Sequence, residues 1–245
     1  MESNGKVISF VVTMTVIVAV TLAGIREVTK AGAAQNEAVF NKRAILQSVA
    51  TQIDGGVGDL SDSEVLTLFD KQIEQVTLDM NGEVVESVKA EDVDMAVEEK
   101  KAEADRLLPL FVFNSTAGSK FYILSVRGNG LWDKIWGNVA LESDALTVAG
   151  AAFDHQGETP GLGAEIKDNP AFSQQFEGKK IYNKQGEYKA IVVRKGGARD
   201  GIVYEVDGIS GATITADGVT EMLQRGIAYY EPYLQGLRKK KEIMN

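Results

Sequence analysis

The sequence predicts an α+β protein, in which one apolar N-terminal transmembrane helix precedes a soluble domain of mixed strands and helices. Three observations lead to this fold class. Residues 7–25 carry no charge, residues 110–206 are rich in strand-like runs separated by glycines, and the residues after 215 place apolar side chains at helical spacing. With 44% hydrophobic and 25% charged residues, the 245-residue chain has the composition of a folded protein.

The expected organisation has four parts. They are a short cytoplasmic N-terminus at residues 1–6, a transmembrane helix at 7–28, a helical and hairpin connecting region at 29–109, and an α+β domain at 110–245.

The composition excludes several kinds of chemistry. The chain has no cysteine and a single histidine, His155, which excludes disulfides, cysteine-bound metal centres and multi-histidine metal sites. A formal net charge of −9 and a pI near 4.8 argue against nucleic-acid binding. Redox chemistry on this chain would therefore depend on an organic cofactor.

The first element is the apolar stretch at residues 7–25, which as a helix is about 28 Å long, close to the ~30 Å hydrocarbon core of a bilayer. A cleaved signal peptide is the alternative, with residues 31–33 as a small-residue cleavage site. A signal peptide, however, has a shorter apolar run after a basic start, and only Lys6 precedes this one. We expect an uncleaved anchor. Arg26 and Lys30 beyond it outnumber Lys6, so charge does not define the orientation, although we expect the acidic domain to face outward.

The next elements follow from apolar spacing and turn residues. Residues 35–50 predict a helix that glycines 55, 56 and 58 terminate, and Ser61 with Glu64 predicts a capping box before a helix ending at Ile73. Alternation at residues 76–85 around Asn81 and Gly82 predicts a hairpin. Nine acidic residues and three lysines at 83–105 indicate a solvated helix face.

The C-terminal part predicts strands and two helices. The expected strands are 110–113, 121–126, 146–153, 190–194 and 202–206. Asn169 and Pro170 are typical of an N-cap and a first helical position. A long helix is expected from about Thr215, with its apolar stripe at Val219, Met222, Leu223, Ile227, Tyr230, Leu234 and Leu237.

Three glycine-rich segments remain as candidates for chemistry. We name them the tryptophan segment (residues 127–137, RGNGLWDKIWG), the proline segment (155–165, HQGETPGLGAE) and the threonine segment (207–215, DGISGATIT). None matches a P-loop, a zinc-protease helix, a nucleophile elbow or a dinucleotide-binding fingerprint.

Each segment has a structural and a functional interpretation. The tryptophans either cap the core or form an aromatic wall beside a planar ligand. The proline segment is either a plain surface loop or a binding loop, and His155 alone is more typical of a structural histidine. The threonine segment joins a strand to a helix, which suits a phosphate, and the structural interpretation, Thr215 as an N-cap, is compatible with that role. No base adjoins these threonines in the sequence, so a threonine that activates itself as a nucleophile is not expected.

The three segments, in this order after one anchor, resemble the family formed by the C subunit of the sodium-translocating NADH:quinone reductase. The helix at residues 36–46 adds to the likeness, and the threonine segment resembles the flavinylation signature D-G-x-[ST]-G-A-T. The resemblance implies that Thr213 carries FMN through a phosphoester bond. It also implies that a dedicated, magnesium-dependent flavin transferase makes this bond.

The resemblance further implies which residues surround the flavin. Asp207 would present the motif to the transferase, and no catalytic acid, base or metal ligand is needed for one-electron relay. The expected cofactor-binding residues are Ser210, Gly211 and Ala212 beside the phosphate, Glu158, Thr159, Gly161, Leu162 and Gly163 at the ring or ribityl chain, and Leu131 and Trp132 at one edge.

By the same resemblance, the chain is one component of a Na⁺-transporting NADH:ubiquinone reductase in the bacterial inner membrane, with its soluble domain in the periplasm. It would relay single electrons from an iron–sulfur centre to the flavin of a partner subunit. Two alternatives stay open, the G subunit of an Rnf-type ferredoxin:NAD oxidoreductase and a cofactor-free membrane scaffold, while a hydrolase using His155 is the least supported function.

Overall fold

The computed structural model describes residues 4–244, so residues 1–3 of the expected N-terminal segment lie outside the described part. The chain divides into two compact units, residues 1–41 and 42–245. The helices are α1 (Asn4–Gln47), α2 (Asp62–Gln72), α3 (Met95–Glu98), α4 (Glu165–Asp168), α5 (Pro170–Gln174) and α6 (Thr213–Met244). The strands are β1 (Ile73–Leu78), β2 (Leu108–Asn114), β3 (Lys120–Asn129), β4 (Lys134–Leu141), β5 (Val148–His155), β6 (Val192–Arg194) and β7 (Glu205–Asp207).

Helix α1 contains the predicted anchor. Among the described residues it is the one helix whose length and apolar composition suffice to cross a membrane. The hydroxyls of Thr15 and Thr21 donate to the carbonyls of Val11 and Ile17, both at 2.8 Å, so these polar groups are satisfied within the helix, as hydrocarbon surroundings require. The helix expected at residues 35–50 is not a separate element, because α1 continues through it to Gln47.

The capping box at the start of α2 is confirmed. The Glu64 amide donates to the Ser61 hydroxyl, and the Glu64 carboxylate accepts from the Ser61 amide at 2.8 Å. Because both groups satisfy amides that the first helical turn leaves unpaired, this short helix has a defined start.

The central sheet is a five-stranded antiparallel meander with the order β1-β2-β3-β4-β5. The hairpin expected around Asn81 and Gly82 is reduced to a turn with the single bridge Leu78–Val84. Strand β1 pairs instead with β2, whose residues from Leu108 to Phe113 are all buried. The partner of β1 is therefore determined by packing in the core. The central sheet therefore includes residues before position 110, where the α+β domain was expected to begin.

Strand β4 was not predicted, because its first residues were grouped with the tryptophan segment. Its residues from Gly137 to Leu141 are all buried, so the alternation of a half-exposed strand is missing. Gly137 is required by close packing, since a Cβ there would lie 2.6 Å from Phe153 Cδ1.

The acidic stretch at residues 83–105 is not the expected solvated helix face. It forms the single turn of α3 and two 3-10 turns, Ala90–Asp92 and Glu103–Asp105. The Glu98 carboxylate is buried and accepts from the Leu107 amide at 2.9 Å and from Lys101 Nζ at 2.8 Å. The prediction of a solvated helix from charge alone was therefore wrong, because hydrogen-bond donors stabilise the Glu98 carboxylate away from water.

Helix α6 packs its predicted apolar stripe onto the sheet. Every residue of the stripe is buried except Leu237, which is half-buried. Gly128 allows the close approach of α6 to β3, since a Cβ there would lie 2.7 Å from Met222 Cβ. The Tyr230 hydroxyl lies 2.9 Å from the carbonyl oxygens of both Pro109 and Ser125, and burial raises the pKa of this tyrosine. These contacts hold α6 along β3. With an antiparallel sheet and helices packed on it, the structure confirms the predicted α+β class.

Helix α6 begins at Thr213 rather than at about Thr215. It follows β7, which pairs in parallel with β6 in a separate two-stranded sheet. Asn169 is confirmed as an N-cap, because its side chain accepts from the Ala171 amide at 3.1 Å and Pro170 opens α5.

Candidate functional site

The three glycine-rich segments meet at one end of the central sheet. Ile135 in β4 pairs with His155 in β5, so the tryptophan and proline segments leave the sheet at the same end. A Cβ on Gly218 of α6 would clash with the carbonyl oxygen of Asn129, which places the first turns of α6 beside the turn between β3 and β4. The threonine segment, which leads into α6, therefore reaches the same place.

The carboxylate of Glu158 joins all three segments. Only 5% of this residue is exposed. Its Oε1 accepts from the Trp132 amide at 2.9 Å, and its Oε2 accepts from the Thr215 hydroxyl at 2.5 Å. The Glu158 amide donates to Nδ1 of His155 at 3.2 Å, so the histidine orders the proline segment.

Two glycines provide the space for this carboxylate. A Cβ on Gly130 would clash with Glu158 Oε1, and a Cβ on Gly163 would clash with Oε2 and lie 2.6 Å from the Thr215 hydroxyl. Gly161 differs, since it is exposed with a φ of 74° and serves the turn. The Leu162 amide donates to the Thr159 carbonyl at 3.1 Å, so this amide is engaged within the loop.

The threonine segment forms a tight turn between β7 and α6. Gly211 has a φ of 79°, in the left-handed region that favours glycine, and Leu162 packs over it: a Cβ there would lie 2.7 Å from Leu162 Cδ2. Thr213 is the first helical residue and is half-buried. Thr215 lies inside the helix with its hydroxyl bonded to Glu158, so it is not the N-cap. The first amides of a helix of this length, with its dipole, favour an anion at this turn.

An open cavity of about 460 Å³ lies between the proline and threonine segments. Its volume is in the range typical of small-molecule sites. It is lined by Gly161, Glu165, Asn169, Ala171, Phe172, Gln175, Gly208, Ile209 and Ser210. Of these, Gly161 and Ser210 were predicted as site residues. Gln175 was not predicted, because it reaches the cavity only through the position of α5 in the fold, which no sequence motif indicates.

Four exposed apolar side chains belong to the same three segments. We call them the apolar rim: Leu131 (44% exposed), Trp132 (70%), Leu162 (41%) and Ile214 (58%). Trp132 Nε1 donates to the Thr159 hydroxyl at 3.2 Å, which fixes the ring beside the proline segment. Trp132 is therefore not a core cap. Ile214 was missed, although its place outside the buried stripe of α6 was an available signal.

Asp207 is exposed at the end of β7. Its Oδ1 accepts from the Ala198 amide at 2.7 Å, and its own amide donates to Gln175 Oε1 at 2.8 Å. Nearby, the Arg199 guanidinium hydrogen-bonds to the buried Glu205 carboxylate and holds the pKa of that group below its usual range. These contacts order the strand that leads into the threonine segment.

The fold and the site define the class of the protein as a small α+β domain whose glycine-rich segments meet at one end of its sheet, and which follows one long apolar helix in the described residues. A family model described as an FMN-binding domain matches residues 130–228, which include the proline and threonine segments entirely and most of the tryptophan segment.

Comparison with individual relatives identifies the family more narrowly. The chain is 34% identical to the C subunit of the Na(+)-translocating NADH-quinone reductase of Vibrio campbellii, over 89% of this chain and 87% of the relative. It is 30% identical to the same component from Pseudomonas aeruginosa, over 97% of each chain. The crystal structure of the C subunit from Parabacteroides distasonis matches with a TM-score of 0.73 and 39% identity, over 84% of this chain and 96% of that one. The chain belongs to the family of the C subunit of the Na(+)-translocating NADH-quinone reductase.

Proposed function

We propose that this chain is the membrane-anchored electron-transfer component of a Na⁺-translocating NADH-quinone reductase and that it carries FMN covalently on Thr213. The main support is the meeting of the three segments at the start of α6, where Thr213 is the first helical residue. The family match covers this region, and the relatives are named as the C subunit of the reductase.

The residues present fit an FMN. The phosphate would lie at the N-terminus of α6, where Ser210, Gly211 and Ala212 are small and where helix amides and the dipole favour an anion. The adjoining cavity of about 460 Å³ and the apolar rim, with Leu131 and Trp132 at one edge, would receive the ribityl chain and the apolar ring. We propose Thr159, Gly161, Leu162 and Gly163 as the neighbouring loop, while Glu158 acts through protein contacts.

Attachment would form the bond from Thr213 Oγ to the flavin phosphorus. It would break the Oγ–H bond and one P–O bond of the flavin donor, whose leaving group takes the proton, so that the chain gains FMN minus water. We propose that a separate flavin transferase performs this step. The buried carboxylate of the site, Glu158, already accepts from Thr215 and Trp132, which leaves the activation of Thr213 to another protein. Asp207, exposed at the start of the segment, is proposed as a recognition residue for that transferase.

When bound, FMN supplies one-electron redox chemistry. The chain contributes the position of the flavin, its electrostatic surroundings and an apolar edge for partners. We propose that electrons arrive from an iron–sulfur centre and leave to a flavin on another component of the complex. Since this sequence has no cysteine, thiolate ligands of such a centre belong to a partner.

The proposed organisation assigns the membrane segment to residues 7–28 and the FMN-binding domain to residues 110–245, with 29–109 as the connecting region, although β1 from that region joins the same sheet. We propose that the domain faces the periplasm and that α1 anchors it singly in the inner membrane, with other subunits of the complex as neighbours.

The deciding experiment is the intact mass of the protein co-expressed with a flavin transferase. We expect a mass increase equal to FMN minus water and a fluorescent band on a denaturing gel. Thr213→Ala should abolish both, whereas Thr213→Ser keeps a hydroxyl and tests how strictly threonine is required. Covalent flavin that persists in Thr213→Ala would exclude this attachment site, and loss of flavin in a matched Ser115→Ala control would show a general defect.

The alternatives have distinct outcomes. Wild-type protein without any flavin after co-expression would support the scaffold function. Recovery of Rnf-type membrane proteins with the tagged chain would support the Rnf function, whereas recovery of other Nqr components supports the proposal.

A further inference from the structure

Glu158 is a buried carboxylate that the proposed attachment of flavin to Thr213 does not use. Its carboxylate is buried, and each oxygen accepts a hydrogen bond from a different glycine-rich segment, Trp132 on one side and Thr215 on the other. An ionised carboxylate only accepts hydrogen bonds, and both of these donors are satisfied by that form. Since both oxygens are engaged within the protein, this side chain links protein segments to one another.

The link reaches the attachment residue through α6. Thr215 lies in the same helical turn as Thr213, so fixing the Thr215 hydroxyl fixes the direction in which that turn starts. Gly130 and Gly163 have no room for a Cβ because the carboxylate occupies that space. The two glycines and two hydrogen bonds therefore define one position for Glu158.

The carboxylate also brings charge to the first turn of α6. A negative group near a helix N-terminus is stabilised by the dipole, and the phosphate proposed for Thr213 would share the same terminus. In a buried place a charge acts over several ångströms with little screening. Beside a flavin bound at the start of α6, a buried negative charge would disfavour the addition of an electron.

We propose that Glu158 is a positioning residue that couples the three segments and holds the flavin's reduction potential low through its buried charge. The proposal rests on FMN at Thr213 for the potential, whereas the coupling of the segments is a property of the protein without flavin.

The potential is tested by two variants, of which only the one that removes the charge is expected to raise it. Glu158→Gln keeps the shape and removes the charge, so the flavin midpoint potential should rise relative to wild type. Thr215→Val keeps the shape of the threonine and removes a donor to the carboxylate, so the charge is less neutralised and the potential should not rise. If the residue only held the loops together, both variants would shift the potential in the same direction. That result, or no shift in Glu158→Gln, would overturn the electrostatic role.

The coupling is tested without flavin, in full-length Thr213→Ala protein, by amide hydrogen exchange. Adding Glu158→Ala should speed exchange in residues 130–133 and 211–216 together, while β2 and β3 stay protected. Faster exchange confined to the proline segment would refute the coupling. Should Glu158→Ala fail to fold, the milder Glu158→Gln is measured in the same way. Because this readout needs no flavin, it separates failure of the coupling from failure of the attachment proposal.

Discussion

At the residue scale, glycine has two different roles in the candidate site. Gly163 is buried and serves close packing, since its α-carbon faces the Glu158 carboxylate and the Thr215 hydroxyl. Gly157, in the same loop, is exposed, and a Cβ there would meet only Asp133 Cβ at 3.9 Å. The sequence does not distinguish these two glycines of the proline segment, because spacing does not reveal which neighbour occupies the space beside each.

This difference gives a matched prediction. Gly163→Ala should destabilise the protein by about 1–3 kcal/mol, as overpacking of a close contact does, because the new methyl group meets Glu158 and Thr215. Gly157→Ala should change stability by less than about 0.5 kcal/mol, as surface substitutions do. Chemical denaturation measures both, and equal effects of the two changes would contradict the packing role of Gly163.

At the scale of elements, helix α6 positions the site because it packs closely on β3. Its apolar stripe was readable from the sequence, since spacing by threes and fours places one face inward. The first residue of α6 could not be predicted from the sequence, because the start at Thr213 depends on the turn at Gly211 and on the Glu158–Thr215 hydrogen bond.

The packing of α6 predicts opposite effects for one substitution at two positions. Gly226→Ala should destabilise the protein by about 1–3 kcal/mol, since the Cβ would lie 2.7 Å from Val126 Cγ1. Gly236→Ala should stabilise it by about 0.5–1 kcal/mol, because nothing lies within 4 Å of that position and alanine favours a helix. Thermal unfolding distinguishes them, and destabilisation by both would argue against this packing.

The β6–β7 pair has a pH-dependent contact in Arg199 and Glu205. The folded state lowers the pKa of Glu205, chiefly through the hydrogen bond from Arg199, so its stabilisation is present above the unfolded pKa, about 4.3, and is lost as pH falls through the folded value. Glu205→Gln should therefore lower the stability at pH 7, and only modestly, because the Arg199 side chain is 56% exposed and water screens the ion pair. Denaturation of both proteins from pH 7 to pH 3 should show the difference shrinking, and a difference that grows toward acid would refute this account.

At the scale of the whole molecule, the chain combines a membrane helix and a compact unit that the structure separates at residues 41 and 42. The uncharged run that predicted the anchor lies entirely in the first unit. The candidate site lies entirely in the second unit, since its segments begin at residue 127. Anchoring and flavin binding therefore use different parts of the chain.

This separation predicts the behaviour of a truncated chain. A protein beginning at Lys42 should fold and remain in the supernatant after ultracentrifugation, whereas the full chain should stay with the membrane through alkaline carbonate washing. Fractionation and immunoblotting measure this distribution, with circular dichroism as the control for folding. A folded truncated protein found in the membrane pellet would show that a second surface binds the membrane.

The sequence by itself determined the membrane helix, the α+β class, the N-caps of α2 and α5 and the three segments that resemble a flavoprotein family. Each of these depends on local chemistry, namely hydropathy over one helix length, capping residues or a short motif. Only the tertiary structure decided the partner of β1, the strand β4, the start of α6 and the position of Glu158 among the three segments. These features depend on contacts between residues far apart in the chain, such as the bond from Thr215 to Glu158, and local patterns carry no information about such contacts. The absence of cysteine belongs to the first group, while the carboxylate that joins the flavin segments belongs to the second.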